Sequence, residues 1–131
     1  MSNKWTEKQA ELLQRHLKER QSMPSERMQK VLEWDPEFFE QYLNFSAYPW
    51  KKGALPPKVR EFIYIAIDAS VTHLYESGLR SHIHRALDQG ATKEEILEVL
   101  ELVAALGIHS CTIGIPALAE EYDKWRADKG K

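Results

Sequence analysis

Two short stretches of this sequence carry the signal that begins an α-helix. Thr6–Gln9 and Thr92–Glu95 each place a hydroxyl first and an amide or carboxylate three residues later, which fits a capping box. Apolar residues at helical spacing follow both. One stretch looks like a strand, because isoleucines alternate over residues 63–67, but no second strand candidate exists to pair with it. The sequence therefore predicts an all-α chain, with residues 63–67 inside a buried helix.

The predicted chain is compact and has about six to seven helices. We expect a single domain, 1–131, in which an N-terminal helical lead-in (1–50) precedes a core (55–127). Prolines and a glycine mark a loop over residues 47–57. The other predicted helices cover residues 7–21, 28–34, from 36 onward, 58 to about 75, 79–89, 94–106 and a last helix to about 127, with Pro116 in its first turn or at a kink.

Composition excludes several function classes. A formal net charge of −2, from 18 basic and 20 acidic residues, argues against nucleic acid as the main ligand. The single cysteine, Cys111, excludes a paired-thiol redox site and is expected to be a buried small residue. The first residues lack the apolar core of a signal peptide, and no run is expected to reach the roughly 18 apolar residues of a membrane span. We therefore expect a cytoplasmic protein.

A set of short motifs carries a family resemblance. Arg60-Glu61 opens an apolar helix, His82 follows, and then come residues 85–87 (Arg-Ala-Leu), 90–92 (Gly-Ala-Thr) and 94–96 (Glu-Glu-Ile). This pattern resembles the carboxymuconolactone decarboxylase family, which includes the alkylhydroperoxidase D-type proteins. The resemblance covers about residues 55–120 and implies an all-α, alkylhydroperoxidase D-like fold that assembles as a homo-oligomer, a trimer or a hexamer. The strongly apolar helices at 58–75 and 94–106 independently favour an interface.

The sequence departs from the peroxidase branch of that family. Peroxidase-type members carry two cysteines, seven and four residues before the histidine, and these positions are Tyr75 and Gly78 here. Dithiol chemistry needs an attacking thiolate and a resolving thiol, so this activity is not expected. Glu61 lies 21 residues before His82, about two more than the family pattern has, which suggests a local insertion near residues 72–78.

Polar residues in two stretches beside the most apolar segments, 73–84 and 109–112, make up the predicted site. The resemblance places His82 at the family's histidine, and imidazole can move protons near neutral pH. Glu61 is either a buried acid paired with Arg60 or a histidine, or part of the solvent face. His84 is expected at the surface or in an interface. The predicted catalytic residues are His82, Glu76 and Tyr75, and the predicted substrate-binding residues are Arg80, His73 and His109.

Three functions remain open from the sequence. The first is a cofactor-independent decarboxylase, lyase or isomerase acting on a small carboxylated ring or lactone in aromatic compound catabolism, with His82 as acid or base and Arg80 as carboxylate anchor. In this hypothesis Glu76 supports His82, although the spacing to Arg80 also fits a simple ion pair. The second is a non-catalytic oligomeric ligand-binding or scaffold protein. The third is a metal-binding protein using His73, His82 and His109; no metal or cofactor is assigned in the preferred hypothesis.

Overall fold

The computed structural model describes residues 4–130, and all its regular secondary structure is helical. The predicted all-α fold class is therefore confirmed. Over the described range the helices run in the following order: α1 Glu7–Arg20, α2 Glu26–Trp34, α3 Pro36–Lys52, α4 Pro57–Ala69, α5 Glu76–Asp88, α6 Lys93–Ala104, a 3-10 turn Ala105–Ile108 and α7 His109–Lys129.

The chain divides into two compact units, Met1–Ala54 and Leu55–Lys131. The division falls inside the loop predicted from the prolines. In the first unit α3 packs on α1 and α2 around a core of buried side chains. Gln9 Nε2 closes this unit by donating to the carbonyl of Leu32 at 3.2 Å, which ties α1 to α2. The apolar core consists of Leu12, Leu13, Leu32, Phe39, Leu43 and Ala47.

The second unit is built on α4, which packs against both α5 and α6. Its buried apolar centre is small: Ile65 of α4, Ala86 of α5, Ala91 of the following turn and Ile96 of α6. The alanines let the helices approach closely beside the polar residues that share this centre. Ile63 and Ile67, in contrast, are about half exposed (45% and 49%), so α4 is buried on one side only within this chain.

Several helix boundaries differ from the predicted ones. The loop predicted at 47–57 is shorter, because α3 continues through Pro49 to Lys52. Predicted helix 58–75 ends earlier, at Ala69, and Gly78 does not interrupt α5, which begins at Glu76. The segment between them is a turn. Pro116 lies within α7 rather than in its first turn.

Helical structure continues from α6 through the 3-10 turn into α7, although Gly107 predicted a break. This stretch, Lys93–Lys129, contains an 18-residue window of mean hydropathy 1.8, and none of that window is buried in the chain. The expectation that no run has the length and composition of a membrane span is therefore wrong, although a single such helix is weak evidence for one. Cys111 was expected to be buried, but it is exposed.

The capping box of α6 offers a test of how this unit is stabilised. Thr92 Oγ1 accepts from the Glu95 backbone N–H at 3.1 Å, and the Glu95 side chain accepts from the Thr92 N–H at 2.9 Å. The Thr92 backbone and Lys58 hold the pKa of Glu95 below its ordinary value, so this stabilisation is present above that value and is lost as the pH falls through the lowered pKa. We expect Thr92→Ala to lower the free energy of unfolding by about 1 kcal/mol. Urea unfolding measures the change, and no loss in Thr92→Ala would contradict this capping role.

Candidate functional site

A buried histidine–glutamate pair lies between α4 and α5. His82 Nδ1 is 2.7 Å from Glu61 Oε2, and both side chains are almost fully buried (8% and 3% exposed). Arg85, one turn after His82 on α5, places Nη2 at 2.8 Å from His82 Nδ1 and 3.2 Å from Nε2. Its Nε lies 3.5 Å from Glu61 Oε2. The predicted possibility that Glu61 is a buried acid paired with a histidine is therefore confirmed.

Two further α4 side chains complete the surroundings of His82. The ring of Tyr64 stacks on the imidazole, with centroids 4.5 Å apart and planes 4° apart. Asp68 Oδ2 lies 3.8 Å from His82 Nε2, on the ring edge opposite Glu61. The Asp68 side chain is buried, and Oδ2 makes no hydrogen bond within the described part of the chain. Helical spacing explains the arrangement, since Glu61, Tyr64 and Asp68 recur every three to four residues on one face of α4.

The turn between α4 and α5 folds back over Asp68. The Tyr75 backbone N–H donates to the Asp68 carbonyl at 2.8 Å, and His73 Nε2 lies 3.4 Å from Asp68 Oδ1. Leu74 adopts a left-handed backbone conformation (φ 45°), which is strained for a residue with a branched side chain. The turn thus brings the predicted residues His73 and Tyr75 next to the carboxylate beside His82.

This geometry defines the nitrogen that is available for chemistry. A carboxylate that accepts from Nδ1–H fixes the neutral imidazole in the tautomer whose Nε2 carries the lone pair. Glu61 is placed to do this for His82. In that tautomer the Arg85 Nη2–H can donate only to His82 Nε2, 3.2 Å away, and Nε2, which also lies 3.8 Å from Asp68 Oδ2, is the nitrogen that can accept or return a proton. The Arg85 cation is close enough to stabilise negative charge there.

The remaining predicted site residues lie outside this cluster. Glu76 and Arg80 form an ion pair at 2.6 Å in which both side chains are about three-quarters exposed. The prediction that their spacing gives a simple ion pair is therefore confirmed. His109 begins α7, with Nδ1 at 3.2 Å from Thr112 Oγ1. His84 is exposed and lies 3.5 Å from Asp88, as its position on α5 predicted.

No three His, Cys, Asp or Glu side chains within residues 4–130 lie together in a way that could hold a metal ion. His73 and His82 share Asp68 as a neighbour, but His109 is not part of that group. The three-histidine metal hypothesis therefore has no geometric support in this chain.

Sequence reasoning missed three members of the cluster: Tyr64, Asp68 and Arg85. A signal for two of them was present, because Asp68 is the one acidic residue in the apolar stretch that follows Glu61, at a spacing of seven residues. Arg85 follows His82 by three residues and so shares its helix face. No sequence pattern indicates the stacking of Tyr64 on His82.

Gly78 leaves the space that the Asp68 carboxylate and the Tyr75 ring occupy. A Cβ built at this position would collide with Asp68 Oδ2 and with Tyr75 Cδ1. We expect Gly78→Ala to lower the free energy of unfolding by about 1–2 kcal/mol, although alanine ordinarily favours a helix over glycine. The matched control is Gly114→Ala in α7, where an added Cβ meets nothing within 4 Å and should be neutral or stabilising. If Gly78→Ala and Gly114→Ala change the Tm equally in thermal unfolding, the packing around Gly78 is not tight.

Comparison with known proteins bears on what this arrangement is. No curated protein matches the chain. A crystal structure at 1.70 Å resolution, of a Burkholderia xenovorans LB400 protein that carries the provisional name gamma-carboxymuconolactone decarboxylase subunit, matches with 40% identity and a TM-score of 0.84. The match covers 95% of this chain and 49% of that one, so this chain spans about half the length of that protein. The sequence model of the Carboxymuconolactone decarboxylase family matches residues 36–111, more than half of the chain, from α3 into α7. The chain therefore belongs to the carboxymuconolactone decarboxylase family.

Proposed function

We propose that this protein is a cofactor-independent lyase that decarboxylates, or moves a proton on, a small carboxylated lactone. The observation that carries the proposal is the buried His82–Glu61 pair, in which a carboxylate orients an imidazole. The family name and that of the Burkholderia protein both refer to carboxymuconolactone decarboxylation, and they suggest the substrate class.

The residues of this cluster can supply the groups that decarboxylation of a lactone needs. When the C–COO⁻ bond breaks, carbon dioxide leaves and the electron pair stays on the ring, where a conjugated lactone carbonyl absorbs it. A proton must then be returned to carbon, and protonated His82 supplies it from Nε2. Glu61 holds the imidazole in the required orientation and stabilises its cationic form, as a carboxylate does in a catalytic triad. Arg85 offsets the negative charge that develops on the substrate.

The predicted substrate contacts are part of the same proposal. His73 and Tyr75 lie next to Asp68 at the edge of the cluster, where they can contact a substrate that approaches His82. Arg80 pairs with Glu76, and it would anchor the substrate carboxylate with two parallel hydrogen bonds by exchanging Glu76 for the substrate. Glu76 keeps its predicted role as a support for His82. His109 is retained as a contact from α7.

Ligand-dependent thermal unfolding tests the substrate class. The protein is heated with a panel that includes γ-carboxymuconolactone, other carboxylated lactones and matched lactones without the carboxylate. A ligand that binds the native state at 100 times its Kd adds about 2.7 kcal/mol, which raises the Tm visibly. We expect a rise with carboxylated lactones that Arg80→Gln reduces. A rise that is equal with and without the carboxylate would contradict carboxylate recognition, and no rise with any compound would favour a scaffold role.

We propose in addition that the exposed apolar side of α7 is covered by further copies of this chain, as a trimer or a hexamer in the cytoplasm. Ile115, Leu118, Tyr122 and Trp125 recur at helical spacing along α7, and each is more than half exposed. Apolar stripes of this kind are typical of protein interfaces. The family resemblance implies oligomers, and the Burkholderia protein is named a subunit.

The oligomer proposal predicts that charge on this stripe separates the copies. We expect Ile115→Glu/Leu118→Glu to convert a wild-type oligomer to monomer in analytical ultracentrifugation. The control Ala127→Glu adds a charge to the same helix beyond Trp125 and should leave the assembly intact. A wild-type protein that sediments as a monomer, or that requires detergent and partitions into lipid vesicles, would contradict self-association as the role of this face.

A further inference from the structure

Asp68 has no role in the proposed reaction, although its carboxylate is buried beside His82. Its side chain is 93% buried, yet Oδ2 makes no hydrogen bond within the described residues. Leaving a buried carboxylate oxygen unpaired is costly, and such groups are uncommon unless they serve a function. The carboxylate has a histidine on each side, with His82 Nε2 3.8 Å from Oδ2 and His73 Nε2 3.4 Å from Oδ1.

The two histidines differ in their access to water. The His82 side chain is 8% exposed and packed between Tyr64, Glu61 and Arg85, whereas that of His73 is 51% exposed. A buried imidazole that gives a proton to a substrate in each cycle must regain one from solvent. Asp68 has polar contacts to both the exposed and the buried imidazole.

We propose that His73 and Asp68 form a proton relay between solvent and His82. Protonated His73 gives its Nε2 proton to Asp68 Oδ1. Rotation of the resulting carboxylic acid brings that proton to His82 Nε2, with a small side-chain movement or a bridging water closing the remaining distance. One N–H bond breaks and another forms, no electrons are transferred, and His73 regains its proton from the solvent. The His73 N–H bond to the Ser70 carbonyl and the Tyr75 N–H bond to the Asp68 carbonyl hold the turn that carries His73.

The side chains that face His82 come from α4, α5 and the turn between them, and they decide how a proton can reach His82 from water. From α4 come Glu61, Tyr64 and Asp68, from α5 comes Arg85, and from the intervening turn comes His73, which acts through Asp68. Glu61 is almost fully buried, and Arg85 stays protonated throughout the physiological pH range. Asp68, in contrast, lies beside His73, whose side chain is 51% exposed, and so connects His82 to water.

Proton exchange of the His82 ring N–H groups with water tests the relay without a substrate. The protein is labelled with ¹⁵N-histidine, His82 is assigned by His82→Gln, and exchange is measured by saturation transfer from water in wild type, Asp68→Asn and His73→Gln. A positioned proton-transfer group typically contributes 10²–10⁴-fold, so we expect exchange at His82 to slow by at least roughly tenfold in both variants. The control His84→Gln removes the exposed histidine paired with Asp88 and should leave the exchange at His82 unchanged.

Because the relay serves the proposed acid role of His82, its failure must be distinguishable from failure of that role. Unchanged exchange in both relay variants would overturn the relay and leave the function of His82 untouched. Slowed exchange in a protein without any lyase activity would support the relay and contradict the proposed function. Far-UV circular dichroism confirms that each variant is folded, and if Asp68→Asn is not, His73→Gln, on the partly exposed turn, decides the question.

Discussion

Replacing Glu61 with alanine should lower the free energy of unfolding by about 3 kcal/mol. Glu61 is the carboxylate partner of two α5 groups, with Oε2 at 2.7 Å from His82 Nδ1 and 3.5 Å from Arg85 Nε. Because an arginine cannot lose its charge in a protein, Arg85 would remain partly buried without its carboxylate. Breaking a buried ion pair by removing one partner leaves that desolvation uncompensated, which is why the expected loss is large.

Glu76→Ala is the matched control for this experiment. It breaks a glutamate–arginine pair of shorter distance, 2.6 Å, but both side chains are exposed to solvent. Exposed pairs contribute roughly 0–1 kcal/mol, so the control should remain close to wild type in urea unfolding. Glu61→Gln keeps a hydrogen-bond acceptor for His82 and should lose less than Glu61→Ala. Similar stabilities of Glu61→Ala and Glu76→Ala would contradict the buried cluster between α4 and α5.

Local signals predicted much of the fold. Both capping boxes form as the sequence indicated, at Thr6 and Thr92, because a cap depends only on residues within one helical turn. Residues 63–67 were predicted to be helical because no second strand could pair with them, and they lie in α4. Gly78 was misleading, since a glycine weakens a helix by only about 1 kcal/mol and close packing against Asp68 and Tyr75 requires one there.

The site was harder to predict because it is formed by contacts between helices. His82 was identified from the family pattern, and Glu61 was recognised as a candidate partner, but their 2.7 Å contact depends on how α4 packs on α5. The sequence favours residues close to His82 along the chain, but two of these, Glu76 and Arg80, pair with one another at the surface. Asp68, fourteen residues before His82, approaches it only because the turn after Ala69 reverses the chain.

The largest expected effect on activity is that of His82. If its Nε2 returns the proton to the substrate carbon, His82→Gln removes the group that carries the proton while keeping a side chain that can hydrogen-bond to Glu61. General acid–base groups typically contribute 10²–10⁴-fold, and we expect kcat to fall by that order. The Tm in the presence of a carboxylated lactone should still rise in the variant, because the role proposed for His82 is proton transfer and not anchoring of the carboxylate.

Turnover of γ-carboxymuconolactone by wild type, His82→Gln and His84→Gln, followed as carbon dioxide release, tests the central claim most directly. His84 is the matched control, since it lies on the same helix but is exposed and pairs with Asp88. The account predicts release by wild type and His84→Gln at similar rates, and a loss of about 10²-fold or more in His82→Gln. Equal rates in all three proteins would contradict the role of His82, and no release by any of them would contradict the decarboxylase assignment.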